Sequence, residues 1–122
     1  MASRFDVLMR ERRERRLADA LAGVQEVLSS LHAAGFDAAL IGSLARGAFR
    51  VHSDVDVLVR GALGAARRLE AEAIVCGRAK GRSVEFDLVF ASDFPEDVRR
   101  AFDIEARDLG ALRADQAPSS AS

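Results

Sequence analysis

A Gly-Ser pair at residues 42 and 43, then ten residues, then Asp54-Val55-Asp56 opening onto the apolar run Val57-Leu58-Val59 constrains this chain more than any other stretch. Side chains two apart on a strand point to one face, so Asp54 and Asp56 project together. The valines between and after them, Val55, Val57 and Val59, face the other way and call for burial. The short apolar segment from Phe36 to Ile41 ends at Gly42, which reads as a buried strand turning into a short helix over 43–49 with Ser43 near its N-cap. Such a turn presents backbone N–H groups, a hydroxyl and a positive dipole end, all suited to phosphate. Two carboxylates on one face suit a divalent cation held on that phosphate. Together the parts describe a metal-nucleotide site.

The rest of the chain supplies a scaffold for it. Leu17, Leu21, Val24, Leu28 and Leu31 recur at steps of three and four, which predicts one long helix over 4–34 with Gly35 as its C-cap. Its first half, Arg10 to Arg16, is charged nearly all round and is expected to project beyond the core as a solvated face, with Glu11 and Arg15 at pairing distance. A docking surface for a partner protein or RNA is the sharper alternative for that segment. Asp54 to Val59 reads as a second strand and Ala62 to Ala71 as a helix entered through Gly61. Ala73 to Cys76 and Ser83 to Phe90 read as two strands joined by the turn Gly77 to Arg82, an antiparallel hairpin. In the last strand Val84, Phe86, Leu88 and Phe90 share one face and Glu85, Asp87 and Val89 the other. A final helix follows Pro95, with Asp93 a candidate N-cap, and extends to about Leu109. The small, polar residues 114–122 read as a disordered tail.

The spacing of Gly42, Ser43, Asp54 and Asp56 resembles the signature of the minimal nucleotidyltransferases of the DNA polymerase β-like superfamily: Gly-Ser, about ten residues, Asp-x-Asp. The flanking Ala45-Arg46-Gly47 and Ser53 to Val59 also look like that family, and Phe86-Asp87-Leu88-Val89-Phe90 resembles its later strand with a third carboxylate. The resemblance covers roughly residues 20–105. It implies an α/β (α+β) fold with a small mixed sheet of about four strands flanked by helices, as a single domain over 1–113. It implies Asp54, Asp56 and Asp87 as catalytic and metal-binding residues, with two Mg²⁺ ions and ATP as substrate. Gly42 and Ser43 would hold the terminal phosphates, and Arg46, one turn on, would either reach them or stabilise the short helix. Glu85 shares the face of Asp87, but the Asp-Leu-Val-Phe setting of Asp87 resembles the family better. Arg50 reads as a surface residue, and His52, with no ligand partner at metal spacing, as a loop residue.

Members of the same kind encoded beside HEPN-domain proteins act as antitoxins, transferring AMP to a tyrosine of the partner RNase. The resemblance therefore implies a HEPN-domain toxin as partner and acceptor, since this chain has no tyrosine. A nucleotidyltransferase acting on a small molecule such as an aminoglycoside is the enzymatic alternative, although the short region after Phe90 leaves little room for an acceptor-binding domain. An antitoxin acting by contact alone is the non-enzymatic one.

Composition narrows the field. A net charge of −1 gives no global attraction to nucleic acid, and with neither Trp nor Tyr there is little to stack bases on, so direct nucleic-acid binding is not expected. One cysteine, Cys76, excludes an internal disulfide, fits a reducing cytoplasm, and reads as a core thiol in a strand. His32 is placed to favour the C-terminus of the first helix. No apolar run is long enough to cross a bilayer, so no membrane role is expected.

Overall fold

The computed structural model describes residues 3–47 and 54–116, with side chains described through Leu112. Helix α1 spans Arg4–Ala33 and is fixed at both ends by local chemistry. At its start Ser3 and Asp6 form a capping box: the Ser3 hydroxyl accepts the Asp6 N–H at 3.1 Å, and the Asp6 carboxylate accepts the Ser3 N–H at 3.2 Å. At its end Gly35 adopts φ +87°, and the N–H groups of Gly35 and Phe36 donate to the carbonyls of His32 and Leu31. That left-handed closure needs a residue without Cβ, as the expected glycine cap implied. The His32 ring Nε2 lies 2.9 Å from the Ala38 carbonyl, tying the helix end to the following strand.

Three strands form the sheet in the order β1 (Ala38–Ile41), β2 (Val55–Val59), β3 (Phe86–Phe90). The β1–β2 pair is antiparallel, with Ala38 opposite Val59 and Ile41 opposite Asp56. The β2–β3 pair is parallel, with Val55 beside Phe86 and Asp56 beside Asp87. Parallel neighbours need a long crossover, and α3 (Ala65–Ala79) provides it. The expected hairpin is therefore wrong: Ala73 to Cys76 are helical, and no fourth strand stands there. The β-branched Ile74 and Val75 continue a helical stripe, with Ala71 and Val75 buried one turn apart, and tertiary packing overrides their strand propensity. Cys76 correspondingly lies exposed on α3 and is not a core thiol.

One face of the sheet packs on α1. Val24, Val27, Leu28 and Leu31 meet Leu40, Val55, Val57 and Val59 in a single cluster that α3 and α5 (Leu109–Gln116) complete through Val75, Leu109 and Leu112. The opposite face carries a smaller cluster, Ile41, Leu58 and Ala91, covered by Phe102 of α4 (Glu96–Glu105) and by Ala106. The expected alternation along β3 holds, with Phe86, Leu88 and Phe90 toward the α1 side and Val89 toward α4.

After β3 a 3₁₀ turn at Ala91–Asp93 leads into α4, whose N-cap is Pro95 and not the expected Asp93. The final helix is also two helices and not one. At residue 107 the backbone exchanges hydrogen bonds with Leu40 at 2.8 and 2.9 Å, filling the open edge of β1, and this pairing breaks the helix. Asp108 then caps α5 by accepting the Ala111 N–H at 2.8 Å, and α5 carries helix through Gln116, into residues expected in the tail.

Arginines tie the layers together at the edges. Arg67 stacks on the Phe36 ring at 3.8 Å and donates to the Ala34 carbonyl at 3.0 Å, closing the end of α1 from α3. Arg82 bridges Asp19 and Glu26 of α1, while the Ser83 N–H and hydroxyl also donate to Asp19. The hydrogen bonds from Ser83 and then Arg82 hold the Asp19 carboxyl below its ordinary value. Residues 10–15 of α1 are exposed, as their charge suggested, while Arg16 is half-buried. Among the described residues no helix is long and apolar enough to cross a membrane. Leu28 is wholly buried where α1 meets the sheet, so Leu28→Ala should lower stability by about 2–5 kcal/mol, read by urea denaturation.

Candidate active site

The register of β1 on β2 delivers the chain from Ile41 directly beside Asp56. Gly42 leaves the strand at φ +82°, a conformation that L side chains rarely adopt. A Cβ on Gly42 would stand 2.5 Å from the Asp56 Oδ2 atom. The glycine is thus required twice, by its own backbone and by the carboxylate it must let past. Helix α2 begins at once and covers only Gly42–Ala45, because Arg46 closes it and Gly47 turns away at φ +73°. Its N-cap is Ile41, so Ser43 is not the cap but lies half-buried within the first turn. The later part of the expected helix, residues 48 and 49, and Arg50, His52 and Ser53 lie outside the described residues.

The parallel pairing of β2 and β3 sets Asp56 and Asp87 side by side. Asp54 stands two residues before Asp56, just ahead of β2, and the alternation of the strand places it toward the same side. This is the α4 face of the sheet, beyond the end of the small cluster around Leu58. Asp54 and Asp87 are exposed, while Asp56 is half-buried. Burial first, then the carboxylates of Asp87, Asp54 and Glu105, push the Asp56 carboxyl above its ordinary value, with Arg46 opposing them. Glu85 is exposed, and its carbonyl accepts the Val55 N–H at 2.8 Å.

Glu105, the last residue of α4, is a member of the site that the sequence reading did not single out. Its Oε1 accepts the Gly42 backbone N–H at 2.9 Å, and its Oε2 accepts from the Arg46 guanidinium at 3.1 Å. Arg46 is thus drawn to α4 as well as toward the carboxylates. No local motif marks Glu105. The available signal is its place in the last turn of a helix, where the dipole disfavours an acid unless donors from elsewhere compensate.

Among the described residues no three acidic, histidine or cysteine side chains stand close enough to enclose a metal ion as they are. The donor chemistry nonetheless fits a hard divalent cation. Mg²⁺ takes one or two carboxylates and completes its shell with water and phosphate oxygens, so it does not need a closed protein cage. The repulsion that Asp87 and Asp54 impose on Asp56 is what a shared cation would relieve.

Two outcomes follow from this geometry. Gly42→Ala should lower stability by at least about 1–2 kcal/mol from the left-handed backbone alone, read by urea denaturation. Asp56 binds its proton more readily folded than unfolded, so its contribution to stability is largest below the ordinary carboxylate range and declines as pH rises through its raised value. Asp56→Asn removes that decline. Its melting temperature relative to the wild type should therefore increase between about pH 4 and about pH 7.

No curated protein sequence matches this chain. The sequence profile described as a nucleotidyltransferase domain does match, over residues 21–109, a span that runs from the buried half of α1 to the start of α5 and holds every site residue named above. With that match over most of its length, and with the Gly42 turn and the acidic strands brought together at one edge of the sheet, the chain belongs to the nucleotidyltransferase domain family.

Proposed function

We propose that this nucleotidyltransferase transfers AMP from ATP to a hydroxyl, that of a tyrosine, on a HEPN-domain RNase partner, and acts as the antitoxin to that toxin. The observation that carries the nucleotidyl-transfer part is the meeting of Gly42 with Asp56 and of Asp56 with Asp87, a phosphate turn against a pair of in-register carboxylates. The assignment of the acceptor to another molecule is supported by the absence of tyrosine from the chain and by the family resemblance of the Gly-Ser to Asp-x-Asp segment.

Asp54, Asp56 and Asp87 are the residues that would hold Mg²⁺. When bound, the metal neutralises the triphosphate and stabilises the charge that develops on the transferring phosphoryl group. The backbone N–H of Gly42, the hydroxyl of Ser43 and the guanidinium of Arg46 orient the phosphates beside that acidic edge. The acceptor oxygen forms a bond to the α-phosphorus as the bond from that phosphorus to the bridging oxygen of the β-phosphate breaks. Asp87, exposed at the start of β3, takes the proton of the acceptor hydroxyl. Pyrophosphate leaves with the electron pair and is held by the Gly42–Arg46 turn. AMP remains on the acceptor.

ATP labelled at the α-phosphate, incubated with Mg²⁺, this protein and the partner, should label the partner. Asp54→Asn combined with Asp56→Asn should abolish labelling, and Asp87→Asn should lower it by about 100-fold or more. A stable complex with the partner and no transfer would replace this reading with neutralisation by contact. Transfer to an aminoglycoside and none to the partner would assign a small-molecule acceptor.

A further inference from the structure

The donors that the proposed reaction needs for its triphosphate are already engaged by a side chain of the protein itself. One carboxylate, that of Glu105, bridges the Gly42 N–H and the Arg46 guanidinium, at 2.9 and 3.1 Å. Two oxygens of one anion spanning a backbone N–H and a guanidinium is also how a phosphate group takes up such donors. The placement is fixed by backbone on both sides. Ala106 N–H donates to the Phe102 carbonyl at 2.9 Å, and Arg107 exchanges two hydrogen bonds with Leu40, two residues before Gly42. Glu105 is thereby carried to the turn by the same pairing that fills the open edge of β1. Its charge also reaches Asp56, adding to the repulsion there.

We propose that Glu105 is a built-in phosphate surrogate: it occupies the Gly42 N–H and Arg46 while no nucleotide is bound, is displaced from both by the triphosphate, and so sets the affinity for that substrate. The inference rests on reading Gly42–Arg46 as the phosphate turn. Glu105 acts by competing with the substrate for two donors and does not touch the reacting atoms. The side chains of Arg46 and Glu105 are 55% and 26% exposed, and an ion pair this open to water is weakly held. A multiply charged triphosphate can therefore dislodge it by rotating one side chain, with the backbone at residues 106 and 107 unmoved. Only the fraction of molecules with Glu105 released is competent to bind, so the apparent affinity is lowered by that fraction.

Calorimetric titration of magnesium tripolyphosphate into the wild type, Glu105→Gln, Glu105→Ala and Asp97→Asn tests this directly. Asp97 is an exposed acid at the other end of α4 and controls for net charge. Both Glu105 variants should bind about tenfold more tightly than the wild type, with Asp97→Asn unchanged. If Glu105→Ala fails to fold, the isosteric Glu105→Gln decides. Binding by the Glu105 variants that is equal to or weaker than wild type would overturn the proposal, as would equal tightening by Asp97→Asn. No binding by any folded variant or by the wild type would overturn the phosphate turn itself, and with it the proposed function.

Discussion

Asp56 has to carry its carboxylate into a place where burial and neighbouring negative charge both oppose ionisation, and the architecture around it follows from that requirement. The carboxylate fits against the turn after β1 only because residue 42 has no Cβ. It lies beside Asp87 only because β3 runs parallel to β2 in the register that aligns residues 56 and 87. The parallel register in turn depends on α3 being long enough to return the chain to the same end of the sheet. The like charges around Asp56 thus stand at an exposed edge where solvent and ligands have access. Among the described residues the fully buried ones are apolar, so this repulsion is confined to the rim.

The two faces of the sheet divide the labour. The α1 side holds most of the apolar volume, with α3 and α5 closing around the long helix, and it supplies the stability that tolerates a strained edge. The α4 side is thinner, a cluster built on Ile41, Leu58 and Ala91, and it ends where the carboxylates begin. Glu105 sits at the join between α4 and the edge of β1, so the helix that covers the thin face also reaches the Gly42 turn.

Much of the candidate site was legible in the sequence because it is written locally. Gly42, Ser43, Asp54 and Asp56 lie within fifteen residues, and two-residue alternation alone aligns the carboxylates. The long helix and its glycine cap were equally local. What the sequence hid was decided by distant partners. Ala73 to Cys76 have the composition of a strand, yet the crossover to a parallel neighbour required helix there. Arg107 interrupts a run of good helix formers because β1 offers an unpaired edge at Leu40. Glu105 belongs to no motif and joins the site only through the fold. Arg46 was expected to face phosphate or its own short helix, and its contact with Glu105 had no signal in the sequence.

In the proposed function the Gly42 turn and the Asp56–Asp87 pair form one site for a metal-bound nucleotide. Paramagnetic line broadening in an amide NMR spectrum tests it most directly, with Mn²⁺ added together with a non-hydrolysable ATP analogue. Broadening confined to the amides around residues 42–46, 54–57 and 86–88 is expected, and its loss in Asp54→Asn combined with Asp56→Asn. Broadening centred elsewhere, or unchanged in that double variant, would contradict it.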